Sequence, residues 1–211
     1  TLEATSPAGA VATYVLAATD IVDTDVVVVC TPASGTTFGL GTTPVHCTAT
    51  DDSDNTATAD FSIKVQDTTA PSISGDTGDQ TLEATSAAGA VASYALAATD
   101  TVDTDVVVLC TPASGSTFGL GTTPVHCTAT DDSLNTATAD FSIKVQDTTA
   151  PGIAAHGPVG PVEATSAAGA TVTYVAPATS DAVDGPGTAS CLPPSGATFA
   201  LGTSAVHCRA Q

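Results

Sequence analysis

The sequence predicts an all-β fold, built from tandem β-sandwich domains that each contain one disulfide. Three observations predict it: an internal repeat of 80 residues, one cysteine pair in each copy of that repeat, and short alternating apolar stretches separated by Gly, Pro and Asp. Such stretches are typical of strands, and no segment has a helical period of useful length.

The repeat appears when the sequence is compared with itself at an offset of 80 residues. Thr1–Pro71 then matches Thr81–Pro151 with seven differences in 71 positions, and a third, more divergent copy starts in phase at Glu163. Copies of this length fall in the size range of independent domains. We therefore expect three domains: residues 1–66, without the first strand; residues 67–146, complete; and residues 147–211, without the last strands.

The incomplete copies allow two interpretations. The sequence is a window on a longer array, or neighbouring molecules supply the missing strands, as in donor-strand complementation.

The six cysteines form three pairs, each separated by 17 residues in the sequence: Cys30 and Cys47, Cys110 and Cys127, and Cys191 and Cys208. This constant spacing predicts one bridge within each copy, worth about 3 kcal/mol in the chain-entropy model. The alternatives are free thiols in a reducing compartment and a zinc site, for which no second short-spaced ligand pair is present. Bridges place the protein outside the cell, secreted or at the cell surface.

The middle copy shows the strand pattern most completely. Its candidate strands are Ser72–Ser74, Thr81–Thr85, Ala90–Leu96, Val106–Thr111, Ser116–Phe118, Pro124–Thr130 and Ala137–Gln146. The last of these alternates strictly, so Phe141 and Ile143 should point into a core. Tyr14, Tyr94 and Tyr174 occupy one position in the three copies and are interpreted as packing residues.

A family resemblance rests on three motifs of the middle copy. They are Cys-x-Pro-x-Ser-Gly-x-x-Phe-x-x-Gly-x-Thr from Cys110, Val-x-Cys-Thr-Ala-x-Asp from Val125, and Asn-x-Ala from Asn135, followed by a strand that runs into Asp-Thr-Thr-Ala-Pro. Together they resemble the hyalin repeat (HYR) family over essentially the whole chain. The resemblance implies immunoglobulin-like sandwiches of extracellular, often adhesive, multidomain proteins, and it implies no enzyme. Asp54 and Leu134 stand where many members have Gly, and Arg209 replaces a usual Thr.

The charge balance excludes several partners. Three basic residues face 22 acidic ones, for a formal net charge of −19. Such a chain repels phosphate backbones and anionic membranes, so we expect no nucleic-acid partner. The longest apolar run, which ends at Cys30, is too short to cross a bilayer, and we expect no membrane insertion.

Catalysis would need a base beside a nucleophile or a pair of carboxylates in one pocket. The repeated histidines His46, His126 and His207 each precede a cysteine on a strand. Because side chains alternate along a strand, these histidines should face solvent if the cysteines face inward. We predict no catalytic residues.

Carboxylates are better candidates, as ligands of Ca²⁺, which takes six to eight oxygens. We expect the best site at the boundaries between copies, where Asp67 and Asp147 precede the next copy and Glu83 or Glu163 begins it. A second group, Asp51–Asn55, resembles half of a calcium loop but is interpreted as a turn, since Asp54 becomes Leu134. A third group is interpreted as a solvated loop that could hold an ion: Asp20, Asp23 and Asp25, with counterparts Asp100, Asp103, Asp105, Asp181 and Asp184.

Two covalent modifications concern this sequence, an isopeptide bond and glycosylation. Lys64 or Lys144 could form an isopeptide bond with Asn55 or Asn135, although the alternation of the strand places each lysine toward water. No Asn-x-Ser/Thr sequon is present, so any glycan would be carried by Thr or Ser.

Two functions fit this sequence. The first is a structural module that builds a filament, stalk or surface fibre, with neighbouring copies or subunits as its partners. The second is a spacer or adhesion module of a large cell-surface adhesin, which would bind a protein or glycan.

Overall fold

The structure, a computed structural model, describes residues 1–210, and those residues form strands and loops without a helix. The first copy contains β1 (Leu2–Glu3), β2 (Ala10–Val11), β3 (Val27–Thr31), β4 (Thr37–Phe38), β5 (Gly41–Thr50) and β6 (Thr56–Gln66). The second contains β7 (Ser72–Gly75), β8 (Gln80–Glu83), β9 (Ala90–Val91), β10 (Leu96–Thr99), β11 (Val107–Thr111), β12 (Thr117–Phe118), β13 (Gly121–Thr130) and β14 (Thr136–Gln146). The third contains β15 (Gly152–Ile153), β16 (Ala170–Val172), β17 (Ala178–Asp181), β18 (Gly185–Thr188), β19 (Ser190–Leu192), β20 (Ala197–Phe199) and β21 (His207–Arg209).

The first two copies share one sheet topology. Copy one has a four-stranded sheet in the order β1-β6-β5-β3 and a two-stranded sheet β2-β4. Copy two has the corresponding four-stranded sheet, β11-β13-β14-β8, and two two-stranded sheets, β12-β9 and β10-β7. The third copy has sheets β15-β17-β18, β16-β20 and β19-β21. The predicted all-β fold of tandem immunoglobulin-like sandwiches is confirmed. No helix within residues 1–210 is long and apolar enough to span a membrane.

The disulfides follow directly from strand register. In the first copy Cys30 on β3 lies opposite Cys47 on β5, and the same antiparallel register pairs Cys110 with Cys127 and Cys191 with Cys208. Each pair is bonded, so the described chain has one bridge per copy and no free cysteine.

One strand prediction was wrong in detail. The predicted strand Ala90–Leu96 is interrupted, with β9 ending at Val91 and β10 starting at Leu96. Between them the backbone N–H of Tyr94 donates to the Ser114 hydroxyl at 2.9 Å, and that of Ala95 donates to the Asp76 carboxylate at 3.0 Å. These side-chain acceptors replace the partners that a continuous ladder would have supplied, so the chain can leave one sheet and join the other.

A glycine makes the tight turn at the start of each copy possible. Gly9 has a φ of +105°, and a Cβ at that position would lie 1.9 Å from the carbonyl oxygen of Phe38. Gly89 and Gly169 are equally constrained. Only glycine fits a backbone that is both left-handed and in close contact with the next strand.

The core confirms the alternation predicted for the last strand. Phe141 is 6% exposed and Ile143 is fully buried, and Phe141 makes an edge-to-face contact with Tyr94 at a centroid distance of 5.0 Å. In the first copy the identical residues Phe61 and Ile63 are only half-buried.

The described chain divides into two compact units that do not follow the sequence copies. The first unit comprises Thr1–Thr77, Ala95–Ala113 and His126–Asp140. The second comprises Gly78–Tyr94, Ser114–Val125 and the residues from Phe141 onward. The first unit therefore contains the boundary between copies one and two, and the second contains the boundary between copies two and three.

Asp54 and Leu134, which stand where the family pattern has glycine, both adopt a backbone conformation that favours glycine. Their φ angles are +63° and +68°, in the left-handed region that disfavours side chains with a Cβ. Leu134 is also 81% exposed and gains nothing from packing. The departure from the family pattern therefore places a residue with a Cβ in a left-handed backbone.

We predict that Leu134→Gly stabilises the fold by about 1 kcal/mol, because it removes left-handed strain at an exposed site. Urea unfolding followed by circular dichroism measures the change. Leu120→Gly is the matched control: Leu120 is also exposed but has no positive φ, so glycine there should give no stabilisation. Equal effects of the two substitutions would contradict the strain argument.

Candidate metal centre

An Asp-x-Val-Asp loop precedes the disulfide strand in every copy. The first aspartate of this loop is Asp20, Asp100 or Asp181. Its Oδ1 accepts two backbone N–H groups, that of the valine at 2.7–2.8 Å and that of the second aspartate at 3.0–3.2 Å. This side-chain turn fixes the carboxylate against its own loop. The second oxygen, Oδ2, is directed away from these two amides.

A second turn follows the long strand β13. Asp131 accepts the backbone N–H of Asn135 at 2.7 Å and its side-chain amide at 2.8 Å, and Asp51 and Asn55 form the same pair in the first copy. The turn interpretation of Asp51–Asn55 is therefore confirmed. Asp103 joins this turn to the Asp-x-Val-Asp loop, because its Oδ2 accepts the backbone N–H of Asp132 at 2.9 Å.

Asp67 brings a third carboxylate to the same place. It follows β6 directly and is only 7% exposed. Its Oδ1 accepts the N–H of Thr69 at 3.1 Å, and its backbone carbonyl accepts the side-chain amide of Asn135 at 3.3 Å. Its Oδ2 is buried without a hydrogen-bond partner. Buried polar atoms are rarely left unsatisfied, so this oxygen is a candidate ligand atom.

Asp67, Asp100 and Asp131 form one carboxylate cluster. One oxygen from each lies within 4.8 Å of the others, with Asp131 4% exposed and Asp100 half-buried. Each pair of charges at this separation repels by about 3 kcal/mol at an effective dielectric constant of 20. Within residues 1–210 no Lys or Arg lies within 4.0 Å of a carboxylate, since the close pairs there are His46 with Asp60 and His126 with Asp140. No basic side chain therefore offsets this repulsion by a direct contact. A cation can offset it.

A related group lies in the third copy. Asp147, Asp181 and Asp184 also approach within 4.8 Å, and Oδ2 of Asp181 is buried without a partner. All three are more exposed than Asp67 and Asp131. This group also differs from the first in its third member, which is Asp184 of the Asp-x-Val-Asp loop.

The carboxylates of Glu3 and Glu83 each accept hydrogen bonds from two threonines. The Glu83 carboxylate accepts the N–H and hydroxyl of Thr148 and the hydroxyl of Thr149, all at 2.8 Å. Glu3 binds Thr68 and Thr69 in the same way, at 2.7–3.1 Å. The backbone N–H of Thr68 is the main cause that lowers the pKa of Glu3, and that of Thr148 does the same for the pKa of Glu83.

These contacts form what we call the glutamate clamp: a Glu at the end of β1 or β8 holds the two threonines that follow the last strand of the same copy, β6 or β14. The structure thus brings the predicted Asp67 and Asp147 into carboxylate groups but engages Glu83 in a clamp. Glu163, the fourth predicted ligand, is exposed ahead of the turn at Ser166–Gly169. The sequence signal for the clamp was the unchanged Asp-Thr-Thr at residues 67–69 and 147–149.

Val102 is the functional residue that sequence reasoning missed. It lies in the Asp-x-Val-Asp loop of copy two, yet it is 7% exposed and belongs to the hydrophobic core cluster of copy one, with Phe38, Val45 and Val65. Its counterpart Val22 is 92% exposed. The available signal was the valine retained in all three copies of the motif, at positions 22, 102 and 183.

The remaining candidates lie on exposed faces. His46 and His126 point to solvent, as predicted, and their Nδ1 atoms lie 2.6 Å and 2.5 Å from Asp60 and Asp140. His207 is exposed on β21. Lys64 and Lys144 are exposed on β6 and β14, whereas Asn55 and Asn135 hold turns, so the structure gives the isopeptide hypothesis no support.

Comparisons with known proteins agree with this architecture. The profile of the HYR domain matches residues 5–65 and 66–145, about two thirds of the chain. HYR domains are extracellular, adhesion-type repeat modules. Each matched region contains one of the cysteine pairs and the Asx turns described above, and the second region also contains Asp-Thr-Thr at residues 67–69.

Similar solved structures include three protocadherin ectodomains. Protocadherin gamma B2 extracellular cadherin domains 1–5 match with a TM-score of 0.31 and 11% identity, over 67% of this chain and 32% of that chain. PcdhgB3 EC1–4 matches with a TM-score of 0.30 and 14% identity, over 63% of this chain and 42% of that chain. Protocadherin gammaB7 EC3–6, in a cis-dimer structure, matches with a TM-score of 0.30 and 16% identity, over 67% of this chain and 44% of that chain. The chain thus spans less than half the length of each. Similarity this remote carries no argument about function.

We predict that Val102→Ala destabilises the protein by about 2 kcal/mol, because it removes two methyl groups from a buried site. Val22→Ala is the matched control in the same motif. It should change the free energy of unfolding by less than about 0.5 kcal/mol, since Val22 is exposed. Urea unfolding of both variants provides the comparison, and equal losses would contradict the burial of Val102 against copy one.

The glutamate clamps predict a defined acid dependence. Because the pKa of Glu3 and of Glu83 is lower in the fold than in the unfolded chain, each clamp contributes stability above the ordinary glutamate pKa of about 4.3, and loses it as the pH falls through the lowered value. Thermal melting of Glu3→Gln and Glu83→Gln should therefore show a deficit at pH 7 that shrinks below pH 4. A deficit that is constant with pH would contradict this assignment.

Proposed function

Because this chain belongs to the HYR domain family, we propose that it is a non-catalytic structural module of an extracellular array, a stalk or surface filament whose successive copies are held together by specific contacts at their boundaries. Its partners in this role are neighbouring copies of the same repeat. The net charge of −19 supports a partner that is neither nucleic acid nor an anionic membrane surface.

The observation that carries the proposal is the burial of Val102. A flexible linker between independent domains would leave the loop side chains of copy two in solvent. Instead Val102 joins the core of copy one, and its exposure of 7% contrasts with 92% for Val22. Buried apolar contacts of this kind resist bending at a boundary, which is what a stalk requires.

Polar contacts at the same boundary support this role. The linker residues Thr68 and Thr69 are held from copy one by Glu3, and the carbonyl of Asp67 is held from copy two by Asn135. The glutamate clamp recurs at the next boundary, with Glu83 holding Thr148 and Thr149. A contact repeated at each boundary suits an array of any length.

The proposal includes calcium at the boundary aspartates Asp67 and Asp147. Carboxylate oxygens are the ligands that Ca²⁺ prefers, and extracellular fluid supplies the ion. Both residues lie in carboxylate groups, which supports this part of the prediction made from the sequence.

Strand complementation is a compatible way to complete a copy. In copy two β7 pairs with β10. The equivalent segment of copy one, residues 16–19, forms no strand, and its residues 16–18 line a cavity of about 130 Å³ with Val28 and Ala57. A strand like β7 would cover this cavity and the half-buried Phe61. In a donor-strand assembly a neighbouring molecule supplies such a strand.

The alternative is an adhesin spacer with a binding face of its own. Strands β3 and β11 lie at sheet edges, and their outward residues are apolar: Val27, Val29, Val107 and Leu109, each at least 61% exposed. Exposed apolar side chains on an edge strand favour contact with another protein. This surface would bind a protein partner more readily than a glycan, because it offers few hydrogen-bonding groups.

Nitrogen-15 relaxation of this chain tests the proposed function. If the boundary is held as described, strand amides of copy one and copy two should report one shared rotational correlation time, and Val102→Ala should give them separate, shorter ones. Separate correlation times in the parent chain would contradict the stalk. Binding of the isolated chain to cells or immobilised proteins, lost in Val29→Lys with Leu109→Lys, would favour the adhesin alternative.

A further inference from the structure

We infer that Asp67, Asp100 and Asp131 bind one Ca²⁺ ion and that this ion controls the docking of Val102 into the first copy. The inference deepens the proposed function and rests on it for the role of the boundary. It differs from the site predicted from sequence, which paired Asp67 with Glu83.

The three ligands come from three separate segments. Asp67 follows β6, Asp100 begins the loop before β11, and Asp131 begins the turn after β13. One carboxylate oxygen from each lies within 4.8 Å of the others, so a single ion can bridge the linker and both loops. Such an ion would add to the hydrogen bonds that already join these segments, from Asp132 to Asp103 and from Asn135 to Asp67.

The unpartnered oxygen of Asp67 is independent support for a ligand. Asp67 is more than nine-tenths buried, its Oδ1 already accepts the Thr69 amide, and its Oδ2 has no partner. Desolvating a carboxylate oxygen without a donor is costly, and a bound cation removes that cost. The turn at Thr69 uses only Oδ1, so it does not account for the buried Oδ2.

The chemistry of the cluster selects calcium. It offers oxygen ligands without imidazole or thiolate, which disfavours zinc. Asp100 is half-buried, so water can complete the six to eight ligands that Ca²⁺ takes in its flexible geometry. Three protein ligands fit the weak affinities of extracellular modules, with a dissociation constant of about 10⁻⁴ to 10⁻³ M.

Asp100 and Val102 lie two residues apart in the same loop and are also joined by a hydrogen bond. Asp100 accepts the backbone N–H of Val102 at 2.8 Å, so the position of its carboxylate sets the position of the valine. Without an ion, repulsion from Asp67 and Asp131 pushes Asp100 and its loop away from the linker. With an ion, the repulsion becomes attraction, and Val102 is held in the copy-one core.

Copy one supplies an internal control. Asp20 and Asp51 are the counterparts of Asp100 and Asp131, and they form the same turns. No counterpart of Asp67 stands beside them in the described chain, and Val22 in their loop is exposed. Removing a charge from Asp20 therefore alters the same motif without touching the proposed site.

Calorimetric titration of the chelator-treated full chain with CaCl₂ tests the site. Asp67→Asn is the informative variant because it keeps the shape and removes the charge of the carboxylate. We expect Asp67→Asn and Asp100→Asn to lose one equivalent of bound Ca²⁺, or to bind it at least tenfold more weakly, and Asp20→Asn to match the parent. The same stoichiometry and affinity in Asp67→Asn as in the parent would overturn the site.

Hydrogen exchange tests the coupling separately. In the parent chain Ca²⁺ should slow exchange of the Val102 amide at least tenfold relative to chelator, and in Asp67→Asn it should not. Calcium binding that leaves this exchange rate unchanged would overturn the control of docking while the ion site stands. Failure of the stalk itself is distinguishable, because copies one and two would then tumble independently even with Ca²⁺ bound.

Discussion

The burial of the Asp67 carboxylate beside those of Asp100 and Asp131 is the constraint on which the boundary between copies depends. Three negative charges do not share a partly desolvated space unless something compensates them. The surrounding hydrogen bonds fix the three side chains in place but supply no positive charge. The position of the linker, of the Asp-x-Val-Asp loop and of Val102 all follow from how that charge is balanced.

The first two copies are nearly identical in sequence, so a comparison of their structures shows which features depend on nearby residues and which depend on contacts with another copy. Asp20 and Asp100 make the same turn, and Asp51 and Asp131 make the same pair with Asn, because these contacts lie within a few residues. Val22 and Val102 differ completely in exposure, because Val102 packs against the core of copy one. The residues within a copy therefore determine the shape of the loop, whereas the burial of its valine depends on contact with another copy.

Much of the fold was predictable because its signals are local. The 17-residue cysteine spacing predicted bridges that the strand register confirms, and alternation identified Phe141 and Ile143 as core. The interruption at Tyr94 was missed because it depends on a hydroxyl of Ser114, twenty residues away. Alternation over Ala90–Leu96 cannot reveal an acceptor supplied by a distant loop.

The site was predictable only in part. Sequence reasoning treated three acidic groups as separate alternatives, whereas Asp67 of the first group and Asp100 of the third lie beside Asp131, the copy-two counterpart of Asp51, which was interpreted as part of a turn. Their separations in sequence, of more than thirty residues, contain no information on proximity until the strands are paired. Glu83 was assigned to the ion because it begins a copy, but its carboxylate is directed to Thr148 and Thr149.

The central claim, that one ion joins the linker to both loops, is tested most directly by crystallography of the chain grown with Ca²⁺ and recorded at a wavelength that gives anomalous signal from calcium. The account predicts an anomalous peak at about 2.3 to 2.6 Å from oxygens of Asp67, Asp100 and Asp131. Carboxylates held together with no peak between them, or Asp67 directed into solvent, would contradict it.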